Sequence, residues 1–176
     1  MASWKLAVAA LLITAPIAAS AQDDVTRQIV NDPGAPDVGG AKASLVDDAK
    51  VQGGKALRIQ VPKKGANPWD SSAGGAIKKP ISKGDHLVLL FSARLEKGEN
   101  GATTATLPYN AIQLAGAPYS TIVQGNAEIG PEWKDFKVEG VSDGNYGPNE
   151  LKVTIQLATA KQTVDFGPIV VLDTSK

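Results

Sequence analysis

The sequence predicts an all-β protein, a jelly-roll β-sandwich of two antiparallel sheets. Three observations favour this fold. Short segments alternate apolar and polar residues, turn-forming residues separate these segments, and no stretch keeps the apolar spacing of a long helix. Short strands with turn residues between them are typical of sandwiches and barrels. A jelly roll of about eight strands or slightly more suits a chain of this length.

The first residues indicate an export signal and not a part of the fold. A short basic start precedes an apolar run over residues 6–17, and Ala19-Ser20-Ala21 is typical of a signal peptidase site. We therefore expect residues 1–21 to be removed, leaving a mature chain that begins at Gln22 in the periplasm or outside the cell. The apolar run is too short to span a membrane, and no later segment approaches the required length.

Residues 22–40 are predicted to form an irregular N-terminal arm. This segment is polar and rich in aspartate, glycine and proline. A short strand or helical turn is expected near residues 26–30. The β-sandwich itself is predicted over residues 41–176, where the period-two pattern begins.

The strands are predicted from five alternating segments and one continuous apolar run. The alternating segments are residues 57–61, 86–94, 111–114, 135–139 and 151–157. The second of these is apolar on both sides near its middle. Residues 166–172 are apolar throughout, which is typical of a strand that is buried on both faces.

Composition excludes several classes of function. The chain has no cysteine, so disulfides, thiol catalysis and cysteine-based zinc sites are absent. His86 is the sole histidine, which leaves no typical zinc site and a single imidazole base. Removal of Lys5 with the signal leaves 17 basic and 18 acidic side chains, and without a basic excess a nucleic acid partner is disfavoured. Paired carboxylates for glycoside hydrolysis stay open, since aspartate and glutamate are plentiful.

The segment Asn67-Pro-Trp-Asp70 is the first candidate for a binding site. It places Trp69 and Asp70 side by side in a loop after an alternating strand. A flat aromatic ring packs on the apolar face of a sugar, and a carboxylate accepts hydrogen bonds from hydroxyls. The alternative is that Trp69 merely closes a hydrophobic edge.

Outward-facing polar residues and loop tyrosines are further candidates. Arg94, Gln113 and Gln156 lie at outward positions of predicted strands, where amide and guanidinium groups suit vicinal hydroxyls. The alternative is an ordinary solvated sheet face. Tyr119 follows a proline, and Tyr109 and Tyr146 also lie beside proline or glycine. Each tyrosine suits stacking on a sugar or covering a strand end.

The order of four stretches resembles the jelly-roll carbohydrate-binding modules of families four, nine and twenty-two, which are galactose-binding-like sandwiches. The stretches cover residues 53–59, 81–94, 130–138 and 166–173. Residues 67–70 and 117–119 are similar to a subgroup that is attached to secreted xylan-degrading enzymes. The resemblance implies a polysaccharide ligand on a concave sheet, association with glycan-degrading enzymes, and a structural role for Trp133.

The resemblance also implies one structural Ca²⁺ between the N-terminal region and the last strand. Asp47, Asp48 and Asp173 are the matching positions, and hard oxygen ligands of this kind suit the ion.

The expected function is non-catalytic binding of a polysaccharide, a β-glycan such as xylan. In this hypothesis Trp69 packs on a sugar face while Asp70, Arg94, Gln113, Tyr119 and Gln156 contact the sugar. Two alternatives stay open. One is a small jelly-roll polysaccharide hydrolase or lyase, and the other is a structural or adhesion module that binds protein.

Overall fold

The computed structural model describes residues 26–176, and the predicted signal peptide lies outside the described residues. Ten strands form two antiparallel five-stranded sheets, which confirms the predicted β-sandwich. The strands are β1 (Asp37–Gly39), β2 (Lys42–Asp47), β3 (Lys55–Val61), β4 (Ser72–Ala76), β5 (His86–Lys97), β6 (Ala105–Leu114), β7 (Thr121–Ile129), β8 (Lys134–Val141), β9 (Leu151–Gln156) and β10 (Gln162–Asp173). Single helical turns at residues 26–28, Pro68–Asp70 and Glu99–Gly101 are the helical segments of this region, and none is long enough to cross a membrane.

The two sheets pack face to face around one apolar core. The front sheet has the strand order β1-β4-β9-β6-β7, and the back sheet has the order β2-β3-β10-β5-β8. Alternate residues of the central strands point inward, as the period-two pattern predicts. Among the fully buried side chains are Ile59, Leu89, Ile112, Ile155 and Phe166. Each sheet therefore leaves one outward face, and these two faces carry the candidate sites.

The N-terminal arm contacts both sheets. The Val30 backbone N–H donates to the carbonyl of Val171, 2.9 Å away, and Ile29 forms an isolated bridge with Leu172 in the back sheet. Asn31 bridges to Ile77, which follows β4 of the front sheet. Farther along the arm, β1 pairs with β4. At the start of the arm, the Gln28 amide donates to the carbonyl of Lys176 at 3.3 Å.

The side chain of Asn31 makes two hydrogen bonds to β10, and their loss should destabilise the protein. Asn31 Nδ2 donates to the carbonyl of Ile169 and Asn31 Oδ1 accepts from the backbone N–H of Val171, both at 2.8 Å. We expect Asn31→Ala to lower the free energy of unfolding by about 1–3 kcal/mol, since buried backbone partners lose their bonds. Urea denaturation measures this. Gln28→Ala, which removes one exposed contact of the same arm, is the control, and equal stability of the two variants would contradict the prediction.

One glycine fixes the position of the turn that carries Trp69. Gly40, which joins β1 to β2, has a φ of +66°, and a Cβ there would lie 1.7 Å from the carbonyl oxygen of Asp70. The hydroxyl of Ser71 donates to the carbonyl of Gly40 at 2.8 Å. Because no side chain fits between them, the Pro68–Asp70 turn packs directly against the β1–β2 connection.

Candidate functional site

The outward face of the front sheet buries polar side chains at its centre. Ile112 of β6 and Val153 of β9 point into the core, so their neighbours Gln113 and Thr154 point outward. Even so, Gln113 is only 7% exposed and Thr154 only 8%. Such low exposure indicates that flanking side chains rise on either side of them. The centre of this face is therefore recessed.

A row of small residues forms the floor of the recess. Strand pairing aligns one residue from each of the five strands, so that all five share the outward face. This central row is Asp37, Gly74, Thr154, Ala111 and Gln124. The three middle positions have short side chains, whereas the aspartate and the glutamine stand at the two edges. We call this band of small residues across the strands the trough.

Longer polar side chains border the central row on both sides. On one side the next aligned residues are Ala76, Lys152, Gln113 and Thr121. On the other side Gln156 aligns with Ser72. Amides and an ammonium group thus stand where they can donate to or accept from hydroxyls of a ligand in the trough. The structure brings Gln113 and Gln156 together on one face, as the sequence predicts.

Tyr109 supplies an aromatic ring on this face. It lies in a bulge of β6 between Leu107 and Asn110, where the pairing with β7 shifts register. Its hydroxyl is 2.6 Å from the hydroxyl of Thr121, so the ring extends along the outward face towards the start of β7. The sequence left the role of Tyr109 open, because a bulge of this kind has no distinct residue pattern.

Tyr119 stands beside the trough, where β6 turns into β7. It is 53% exposed, and the Lys152 ammonium lies 5.2 Å from its ring centroid, a distance at which a cation is attracted to the ring face. Tyr119 has a φ of +58°. Tyr119 thus joins Lys152 and Gln113 on one side of the central row. Lys152 was not among the residues that the sequence singled out.

Trp69 lies at the opposite end of β9 from Tyr119. The indole is 61% exposed, and the backbone N–H of Ala158, just beyond β9, donates to the carbonyl of Pro68 at 3.0 Å. Lys152 and Gln156 are separated by about 13 Å along the strand. Exposed aromatic rings therefore stand at both ends of the central strand.

Asp70 stabilises the turn that carries Trp69. Its carboxylate accepts a hydrogen bond from the backbone N–H of Asn67 at 3.0 Å, which closes a capping box around the turn. The carboxylate is exposed beside the tryptophan, but one of its oxygens is already used. Asp70 thus stabilises the backbone turn that carries Trp69.

Known structures with a similar fold include three polysaccharide-binding domains. A family 4 carbohydrate-binding module matches with a TM-score of 0.62 and 17% identity, over 79% of this chain and 94% of that one. The cellulose-binding domain of β-1,4-glucanase C from Cellulomonas fimi matches with a TM-score of 0.58 and 16% identity, over 84% and 93%. The chain has the fold of a carbohydrate-binding module.

A third known structure, a xylan-binding domain, also shares the fold. The family 22 xylan-binding domain from Paenibacillus barcinonensis matches the chain with a TM-score of 0.54 and 12% identity, over 78% of this chain and 84% of that one. No family model matches the sequence, and no curated protein does. The predicted resemblance to jelly-roll carbohydrate-binding modules is thus confirmed for the fold. At sequence identities of 12–17%, structural similarity shows a shared fold.

Within the carbohydrate-binding-module fold, Arg94 does not belong to the front face. It lies on β5 and points outward from the back sheet, where its guanidinium donates to Asp165 at 2.9 and 3.1 Å. The prediction that Arg94 acts together with Gln113 and Gln156 is therefore wrong. Alternation along a strand indicates whether a side chain points in or out, but it does not reveal to which sheet the strand belongs.

Arg94 instead belongs to a charged network on the outward face of the back sheet. Asp165 of β10 is 0% exposed and accepts two 2.8 Å hydrogen bonds from Arg58. Glu96 lies 3.1 Å from both guanidinium groups. Burial acts to raise the pKa of Asp165, but the hydrogen bonds from Arg58 and Arg94 outweigh it and hold the pKa below its usual value.

Trp133 extends the same network. Its indole N–H donates to Asp48 at 3.1 Å, and the Arg94 guanidinium lies 5.3 Å from its ring centroid. Hydrogen bonds from the Lys50 backbone N–H and from Trp133 lower the pKa of Asp48. Trp133 therefore packs on the back sheet, away from the trough.

The three carboxylates proposed as calcium ligands do not meet. Asp47 pairs with Lys55 at the end of β2, and Asp48 contacts Trp133. Asp173 lies at the end of β10 next to Leu87 of β5, and it pairs with Lys176. No group of three or more metal-ligating side chains occurs within residues 26–176. The structure therefore does not bring the three residues that the resemblance implied together into one calcium site.

Added calcium or a chelator should accordingly leave thermal stability unchanged. The carboxylates of Asp48 and Asp173 already have fixed hydrogen-bonding or charged partners in the fold. We expect the same melting temperature in EDTA and in millimolar CaCl₂, measured by differential scanning fluorimetry. A rise of several degrees with calcium would show that the fold holds an ion elsewhere.

Residues 140–144 match the pattern of a serine-hydrolase nucleophile elbow but lack its geometry. Ser142 is buried, and its hydroxyl donates to the carbonyl of Gly144 at 2.9 Å. The sole imidazole, His86, aligns with Val141 across β5 and β8, and its Nδ1 lies 2.9 Å from the Thr174 hydroxyl. Neighbouring residues on a strand point to opposite faces, so Ser142 and His86 do not face each other. An activated serine requires that contact.

Tyr146 has a structural position. It bridges to Ile81, and its hydroxyl donates to Asp143 at 2.6 Å. That hydrogen bond raises the pKa of Tyr146 to about 12. Of the three tyrosines, Tyr109 and Tyr119 thus belong to the front face.

Proposed function

We propose that the protein is an exported, non-catalytic binder of polysaccharide, a β-glycan such as xylan, and that the trough of the front sheet holds the sugar chain. The observation that carries the proposal is the central row of short side chains, bordered by amides and aromatic rings. The fold, shared with cellulose-binding and xylan-binding domains, supports it. The signal-like N-terminus supports export and, with it, action alongside secreted glycan-degrading enzymes.

Binding in this proposal combines stacking with hydrogen bonds. The exposed ring of Trp69 and the rings of Tyr109 and Tyr119 offer flat apolar surfaces to pyranose faces. Gln113, Gln156 and Thr154 offer donors and acceptors to hydroxyls. An open trough leaves the sugar partly hydrated, so each hydrogen bond replaces one to water and the affinity is modest.

The charge pattern of the front face favours binding over hydrolysis. The three central strands β4, β9 and β6 contain no aspartate or glutamate. Outward-facing carboxylates of this sheet stand on its edge strands, Asp37 on β1 and Glu128 on β7. Four strand spacings separate these edges, about 19 Å, whereas paired glycosidase carboxylates lie about 5–9.5 Å apart.

A binding screen with a parallel assay for turnover tests the proposal. The mature chain, Gln22 to Lys176, is tested for retention on insoluble xylan and cellulose and by calorimetry with soluble oligosaccharides, while new reducing ends are measured. Retention on one glycan without new reducing ends is the expected result. New reducing ends would favour the hydrolase alternative, and no retention on any glycan would overturn the proposal.

Trp69→Ala should weaken polysaccharide binding and leave the fold intact. The indole is mostly exposed, so its removal costs little packing, whereas loss of an aromatic anchor typically weakens binding about tenfold or more. Isothermal titration and thermal melting measure the two effects. Leu45→Ala is the matched control, since Leu45 is 69% exposed on the back sheet. A large fall in melting temperature for Trp69→Ala would instead assign the tryptophan to edge packing.

A further inference from the structure

A second groove lies on the outward face of the back sheet, on the opposite side of the molecule from the trough. It has a volume of about 1040 Å³ and lies where β2 begins and β5 ends. The connection through Gly40 and Ala41 forms one wall, and Gly98 to Asn100 form another. A volume of this size exceeds what a small ligand needs and suits several units of a polymer.

Strand pairing builds the floor of this groove as a ladder of donor groups. Lys42 aligns with Gln60, Gln60 aligns with Thr163, and Thr163 aligns with Lys97. Because directly paired residues share a face, the four side chains cross β2, β3, β10 and β5 on the outward side. The two lysines at the ends of the ladder are about 14 Å apart across three strand spacings.

The groove carries a local excess of positive charge. Lys42, Lys97 and Lys161 line it, against one carboxylate, Glu99. None of these three lysines has an ion-pair partner among residues 26–176. In the next row along the sheet, by contrast, Arg58 is held by Asp165. The lysines therefore leave their charges available to an anionic ligand.

The lining also indicates which anion fits. No aromatic residue lines the groove, so it cannot stack nucleic acid bases or bind a neutral sugar through its ring face. Gln60, Thr163 and Asn100 offer donors and acceptors to hydroxyl groups. We propose that this groove is a second binding site, which takes a linear acidic polysaccharide by pairing its carboxylates with Lys42, Lys97 and Lys161.

A triple variant tests this site. Lys42, Lys97 and Lys161 are changed together to Gln, and polygalacturonate and alginate are titrated at low and moderate NaCl concentrations. The matched control changes Lys78, Lys83 and Lys134 to Gln, since these exposed lysines also lack an ion-pair partner among residues 26–176 and do not line the groove. Thermal melting confirms that both triple variants are folded, and neutral xylan binding is measured in each as an independent reading of the trough.

We expect the groove variant to bind acidic polysaccharide about tenfold more weakly, because each exposed ion pair contributes about two- to threefold. The affinity of the wild type should fall with salt more steeply than that of this variant. The control should keep wild-type affinity, and neutral xylan binding should be equal in all three proteins. No binding of acidic polysaccharide by the wild type, or equal weakening in both triple variants, would overturn the proposal. Single-stranded DNA that binds as tightly and depends on the same lysines would also overturn it.

Discussion

Asp165→Asn is expected to destabilise the protein strongly, and more than Asn31→Ala does. The carboxylate is fully buried and receives hydrogen bonds from two guanidinium groups. Its neutralisation removes the buried anion that two partly buried arginines share, and loss of one partner of a buried pair typically costs about 3–5 kcal/mol of unfolding free energy. Urea denaturation at neutral pH measures the loss.

Asp47→Asn is the matched control for this change. Asp47 also pairs with a cation, Lys55, but its side chain is 86% exposed, and exposed pairs contribute little. If Asp165→Asn and Asp47→Asn had the same unfolding free energy within error, the buried network would not stabilise the fold.

The Asp165 carboxylate should also make the stability of the protein depend on pH in the acidic range. The pKa of Asp165 is lowered in the folded protein, and that of Asp48 is lowered too. Unfolded aspartates bind protons at a pKa of about 3.9. The unfolded chain therefore takes up protons first as the pH falls, so the stability that Asp165 contributes is complete above about pH 5 and declines below about pH 4. In Asp165→Asn this decline should be shallower.

Tyr109→Ala should produce the largest loss of polysaccharide affinity among single changes in the trough. The ring extends over the outward face from β6 towards the start of β7, with its hydroxyl bonded to Thr121. Its removal takes away stacking surface and opens the recess, so we expect affinity to fall tenfold or more. Isothermal titration with the glycan that the screen identifies measures the loss.

Tyr109→Phe separates stacking from hydrogen bonding. This variant keeps the ring and loses the contact with the Thr121 hydroxyl. We expect Tyr109→Phe to bind the glycan nearly as tightly as the wild type and Tyr109→Ala to bind it weakly. Equal affinities of Tyr109→Ala and the wild type would show that the ligand binds away from Tyr109.

Much of the fold follows from local pattern, because a strand with one buried face has to alternate. The segments around Ile59, Leu89 and Ile155 all form strands, and Phe166 lies in a strand with apolar residues on both sides, as predicted. The pairing order depends on long-range contacts, which a single strand does not encode. That is why Arg94 could be recognised as outward-facing but not as a residue of the back sheet.

The candidate site could be predicted in part for the same reason. Gln113 and Gln156 are long polar side chains at outward positions, and Trp69 is an aromatic residue in a loop, so each has a recognisable pattern. Gly74 and Ala111 shape the trough because they have no long side chain. Small residues follow no sequence pattern that would indicate a binding surface. Their role is visible only when the register aligns them with Thr154.

The hydrogen bond between Gln28 and Lys176 has a consequence for engineering. It brings residues 26–28, the first turn that the structure describes, and Lys176 to one corner of the molecule. A short linker could therefore join residue 176 to residue 28, and new ends could be opened in an exposed turn elsewhere. The whole sandwich could likewise be inserted into a surface loop of another protein, with both connections leaving from the same point.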